Sequence, residues 1–146
     1  MANLNWNARA SLYRTHGSRP ANEPWSFGPQ AEVSITKSIK LRTSLKGYVL
    51  ELAANATSSG TPIMTPLWFH FPHDKELDRR EIVDSFMFGP KYLAAPVLER
   101  GATTRALYLP TNEGGWTHYY TRKSYAGGAN VTVEAPYDEL PLFVRG

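Results

Sequence analysis

Between Pro29 and Ala56 apolar side chains recur at Ile35, Ile39, Leu41, Leu45, Tyr48, Val49, Leu52 and Ala56. That spacing is one face of a 3.6-residue helix. Gly28 suits the N-cap, Pro29 the first helical position, and Glu32 places a carboxylate in the first turn, at the positive end of the helix dipole. Thr57-Ser-Ser-Gly60 is the stop signal. The pattern predicts one helix over about 30–58, weakened a little by Gly47. The next stretch, TPIMTPLWFHFP at 61–72, is almost wholly apolar and does not alternate. Such a run predicts a strand over about 62–71 buried on both faces, as in a parallel sheet. Pro62 and Pro66 are tolerated only where their missing N–H groups fall outside the ladder.

From Asp84 onward the pattern changes. Short apolar runs at Phe86–Phe88, Tyr92–Leu98 and Ala106–Leu109 are broken by Gly89–Pro90, by Glu99-Arg100-Gly101 and by Pro110. Runs of this length separated by Gly and Pro predict antiparallel strands. Ala126–Gly128 reads as a tight turn. In NVTVEAP, Val131 and Val133 share one face, and Thr132 and Glu134 the other. The segment between the two patterns, HDKELDRREIVD, is highly charged and reads as a solvated linker. A boundary near residue 78 divides a helix-plus-strand unit from a sandwich. Residues 1–28 show no helical period.

Composition narrows the function classes. The chain has 146 residues, too few for a complete (β/α)₈ barrel of roughly 250. Hydrophobic residues at 42% and charged residues at 20% indicate a globular chain. The net charge is +3, and Lys37, Lys40, Arg42 and Lys46 spread along a predicted helix with no nucleic-acid module around them. Neither a nucleic-acid partner nor a membrane span is expected. The absence of cysteine excludes thiol chemistry and Cys-type zinc sites. His70 and His73 alone do not make a metal site. No metal or cofactor is expected, and the compartment is left open.

Several segments taken in order resemble glycoside hydrolase family 31, the α-glucosidases and α-xylosidases. YRTHG at Tyr13–Gly17 resembles the segment whose histidine reaches the bound sugar. NEPWSFG resembles the approach to a barrel helix, and GTPIMTPLWFHFP the last barrel strand. FMFGPKYLAAPVLERGAT, ALYLP…GGW and APYDELPLFVRG resemble the opening, middle and end of the proximal C-terminal sandwich. The chain departs from the family at Thr65, where arginine is common, at Ser85, where glutamine is common, and at Thr117 and His118 after Trp116.

The resemblance implies an α+β chain. Residues 1–78 are expected to be the terminal piece of a (β/α)₈ barrel, a long helix plus the last strand. Residues 79–146 are expected to be an antiparallel β-sandwich. It further implies retaining hydrolysis of α-linked sugars, which takes two carboxylates roughly 5–5.5 Å apart. By resemblance both are aspartates ahead of the RTHG segment, so no catalytic residue is expected in this chain. His16 is implied as a sugar contact and Arg14 as its brace, with Glu23 a candidate to orient His16. Asp74, Glu76, Asp78, Glu81 and Asp84 are expected to be solvated linker acids.

Two readings follow. One is an α-glycosidase fragment, inactive alone, whose partner in the full-length context is an α-linked oligosaccharide. The other is a non-catalytic carbohydrate-binding or protein-interaction module, with Trp116, Tyr119, Tyr120 and Tyr125 as an aromatic platform. Faces that a whole barrel covers would be exposed, which predicts self-association through residues 12–72.

Overall fold

The computed structural model describes residues 18, 20–79, 82 and 84–146. A 3₁₀ turn at Pro24–Phe27 leads into helices α1 (Pro29–Ser44) and α2 (Lys46–Ser59). Strand β1 (Met64–Thr65), the helical turn α3 (Leu67–His70) and the short helix α4 (Lys75–Arg79) follow. The rest is strands: β2 (Phe86–Phe88), β3 (Tyr92–Ala94), β4 (Thr104–Leu109), β5 (Trp116–His118), β6 (Ser124–Tyr125), β7 (Ala129–Glu134) and β8 (Leu142–Arg145). They form a six-stranded sheet, β1-β2-β3-β8-β5-β6, and a two-stranded sheet, β4-β7. Every pairing is antiparallel.

The large sheet is a middle layer. Along its strands alternate residues point to opposite faces. Met87, Leu93 and Phe143 pack with Leu107, Leu109 and Val133 of the small sheet, forming the sandwich core. Phe88, Tyr92, Ala94 and Leu142 face the other way and pack against Leu45 and Leu52 of the helical region. Burial on both faces explains why FMF, YLAA and LFV are continuous apolar runs rather than alternating ones. β7 has solvent on one side and alternates as expected, with Val133 buried and Thr132 and Glu134 exposed.

Three expectations are corrected. The single helix over 30–58 is two helices, broken at Leu45. Thr43 and Ser44 donate their hydroxyls back to the Ile39 and Leu41 carbonyls just before the break. Leu45, at the break, and Leu52 pack on the sheet. The long strand over 62–71 shrinks to Met64–Thr65. It is an antiparallel edge strand, not a parallel one. Pro66 ends it because it has no N–H to give the ladder, and its carbonyl accepts from Phe69 N–H to open α3. The charged linker also holds more structure than expected. Asp74 is buried, and α4 follows it. Residues on both sides of position 78 share one core, since α2 packs on the large sheet.

The α2–sheet contact is close. Tyr48 donates its hydroxyl to the Phe88 carbonyl at 2.9 Å and stacks edge-on against Phe88 and Tyr92. Gly89 turns the β2–β3 hairpin with φ +57. A Cβ there would run into the Tyr48 hydroxyl and lie 2.6 Å from Leu52 Cδ2. Both the turn and the approach require glycine. α1 is held at the other end of the layer. Lys37 Nζ reaches Asp138 Oδ2 at 2.7 Å and Glu139 Oε1 at 2.9 Å, and Ser34 donates to the Tyr137 carbonyl.

Candidate functional site

The residues the sequence singles out first, His16 and Arg14, lie outside the described residues. Glu23 is exposed, and its carbonyl accepts from Ser26 as the 3₁₀ turn begins. A polar surface built from several hydrogen-bonded side chains lies elsewhere. It is a groove of about 480 Å³ between the α3–α4 connection and the ends of β4 and β8.

Asp74 forms its floor. Tyr108 donates its hydroxyl to both carboxylate oxygens, at 3.0 and 2.9 Å. Thr111 N–H donates to Oδ2 at 2.7 Å, and Glu76 N–H to Oδ1 at 3.1 Å. The last bond makes Asp74 the N-cap of α4. Burial alone would raise its carboxyl. The bonds from Thr111, Tyr108 and Glu76 outweigh that and hold it below its ordinary value. Asp74 therefore ties α4 to β4 as a carboxylate with its lone pairs occupied. The sequence carried a signal for this, an Asp immediately before Lys-Glu-Leu, which is an N-cap pattern.

His70 and Arg145 form one wall. Arg145 Nε donates to Asn112 Oδ1 at 3.1 Å, and its guanidinium lies 4.6 Å from the centre of the Phe71 ring. His70 Nε2 is buried without a hydrogen-bond partner among the described residues. Burial first, then the Arg145 charge, push the His70 imidazole below its ordinary value, so it is neutral near pH 7. His73 is exposed at the rim. No group of three or more His, Cys, Asp or Glu with metal-binding geometry occurs among the described residues.

Other candidates resolve into structure. Trp116 is 1% exposed, and its indole N–H donates to the Pro110 carbonyl at 2.8 Å. It packs in the core and is no part of a platform, whereas Tyr119 and Tyr120 are half-buried neighbours at 5.2 Å. His118 is buried against Phe143, and its Nδ1 accepts from Thr121 N–H. That bond places the ring proton on Nε2, which is itself buried without a partner among the described residues. Asp84 is bound by Arg105 at 2.6 Å, and Asp138 and Glu139 by Lys37. Thr65 is buried, and its hydroxyl has no partner among the described residues.

By architecture this is an antiparallel sandwich with helices on its outer face. Residues 60–146 match the glycosyl hydrolase family 31 C-terminal domain, and the chain belongs to that family. It is 34% identical to alpha-xylosidase A of Aspergillus niger, over 98% of this chain and 22% of that protein. A solved xylosidase from Aspergillus niger superposes with a TM-score of 0.92 at 33% identity, covering 98% of this chain and 23% of the other. A Flavobacterium johnsoniae GH31 dextranase complexed with isomaltotriose gives 0.86 at 37% identity, over 97% and 18%. Further relatives include proteins named alpha-glucosidase and alpha-xylosidase. The chain thus spans between 11% and 22% of the length of these curated relatives.

Proposed function

We propose that this chain is the terminal part of a retaining α-glycosidase acting on α-glucosides or α-xylosides, and that it does not turn over substrate by itself. In this reading residues 1–78 complete the catalytic barrel and residues 79–146 are the proximal sandwich that braces it. His16, with Arg14 behind it, contacts the sugar in the full-length context. The observation that carries the reading is the state of the buried carboxylate. Asp74 has the burial a catalytic acid needs, yet Tyr108, Thr111 and Glu76 occupy it, and its affinity for protons is lowered. A general acid needs the opposite shift. The ion-paired acids Asp84, Asp138 and Glu139 are equally committed.

The test is turnover of nitrophenyl α-xyloside and α-glucoside by the purified chain. No release above background is expected. Release that disappears when one of the chain's own carboxylates is changed would falsify the reading.

The proposed partners are an α-linked oligosaccharide and, for the chain alone, a second copy of itself. Self-association is supported by where the exposed large hydrophobic residues fall. Trp25, Val33, Leu50, Trp68 and Phe69 all lie between residues 24 and 70, and among the described residues only Leu98 and Tyr137 lie outside. Exposed apolar surface concentrated in one region favours association.

A further inference from the structure

We propose that Asn130 is an acceptor for an N-linked glycan, carried on the solvent face of the β4–β7 sheet when the chain enters a secretory compartment.

The sequence holds two Asn-X-Thr patterns, Asn55-Ala-Thr57 and Asn130-Val-Thr132, neither with proline in the middle. The fold separates them. Residues two apart on a strand share a face. Asn130 and Thr132 therefore stand side by side on β7, and both are exposed. Val131 and Val133 point the other way, into the sandwich core. A substituent on Asn130 leaves that core untouched. The register places Ala106 opposite Thr132 and Thr104 opposite Glu134. Ala106 and Thr104 are short and exposed, so the face beside the acceptor is open. The small sheet and the helices α1 and α2 cover opposite faces of the large sheet. A glycan on β7 thus points away from both helices.

Asn55 is the weaker candidate. It lies in α2, where residues two apart are about 200° around the axis. Asn55 and Thr57 therefore diverge. The Thr57 hydroxyl already donates to the Ala53 carbonyl at 3.0 Å, and Ser58 and Ser59 donate to the Asn55 carbonyl. A glycan there would stand on the helix that carries the exposed Leu50.

The donor class is a lipid-pyrophosphate-linked oligosaccharide. Transfer joins Asn130 Nδ2 to C1 of the first sugar. The C1–O bond to the pyrophosphate breaks, the lipid pyrophosphate leaves with that electron pair, and the amide gives up one proton. The product carries no new charge on the protein, only a bulky solvated group over an edge strand. Such a group also hinders pairing of that edge with another chain.

The test is secretion of the full chain from a eukaryotic host behind a cleavable signal, followed by peptide-N-glycosidase treatment and mass spectrometry. Trypsin places Asn130 in the 124–145 peptide and Asn55 in the 47–75 peptide, so each site is read separately. The expected result is a mobility shift removed by the glycosidase, with the released 124–145 peptide deamidated. Asn130→Gln and Thr132→Val should each abolish glycan on that peptide. Thr132→Val keeps the asparagine and a β-branched side chain on the strand, so it separates loss of the acceptor pattern from loss of the fold. The glycosylated chain should unfold cooperatively, with a midpoint no lower than that of the enzymatically released chain. A secreted chain whose 124–145 peptide is unmodified overturns the site, as does a glycan that survives Thr132→Val. Retention of the wild-type chain in the cell, relieved by Asn130→Gln, would show that the fold rejects a glycan there and overturns it too. Turnover plays no part in these readouts, so this site and the proposed function fail separately.

Discussion

The two faces of the six-stranded sheet are covered in different ways. The inner face is closed by the chain's own β4–β7 sheet, with Trp116, Met87, Leu93 and Phe143 essentially inaccessible. The outer face is covered by α2 and the end of α1 through a few side chains, Leu41, Leu45, Tyr48, Val49 and Leu52, while the buried stripe of α1, Ala31, Ser34, Ile35 and Ser38, is no part of that cluster. Val33 and Leu50 on the same helices stay exposed. One face is a finished core. The other is a contact made by a few anchors, with apolar surface left over beyond it. This difference fits the proposal that the sandwich docks beside a larger catalytic unit.

The comparison can be broken from either side. Phe143→Ala empties the finished core, where the ring packs against His118 and Tyr125. A loss of about 4 kcal/mol is expected. That is a large part of a small domain's stability, and denaturant unfolding would read it as a lowered midpoint. Gly89→Ala attacks the helix face instead. The positive φ and the collision with Tyr48 and Leu52 together cost about 3 kcal/mol. Here thermal unfolding should weaken while the sandwich strands keep more amide protection than the helices. Equal loss of protection in both would mean that the two faces are one cooperative unit.

Asp74→Asn sharpens the contrast between structural and catalytic carboxylates. A cost of about 2 kcal/mol near neutral pH is expected, from a buried hydrogen-bonded charge replaced by an amide that cannot accept at both ends. The folded value of Asp74 lies below its ordinary 3.8. Its stabilisation is therefore present above the unfolded value and is lost as pH falls through the folded one. Wild-type stability should fall from about pH 5 to about pH 2 more steeply than that of the variant. Parallel pH profiles would show that Asp74 is not a charged anchor. The smallest effect belongs to Lys37→Ala. Lys37 is about 40% exposed, and its pairs with Asp138 and Glu139 are screened by solvent. Less than about 1 kcal/mol is expected, shrinking further in high salt.

Much of this was legible in the chain. The Gly89–Pro90 hairpin and the β7 alternation follow from turn residues and period. The family follows from the ordered segments between Tyr13 and Arg145. The misreadings have physical causes. The run at 61–72 is almost wholly apolar without alternation, and period alone does not separate a strand from a helical turn in such a run, which here divides into β1 and α3. The break at Leu45, just after the Thr43 and Ser44 hydroxyls bond back to the helix carbonyls, is a local feature that apolar spacing does not register. Asp74 looked like one acid among five because its partners, Tyr108 and Thr111, lie more than thirty residues away. His70 and Arg145 meet for the same reason, through the fold and not through sequence spacing.

The central claim is that the chain's own core is complete on one side and left to be covered on the other. Sedimentation velocity across a wide concentration range tests it most directly, on the wild type and on a Trp68→Ser, Phe69→Ser double variant. The account predicts a sedimentation coefficient that rises with concentration in the wild type and stays monomeric in the variant. A wild-type chain that remains monomeric at every concentration would contradict it.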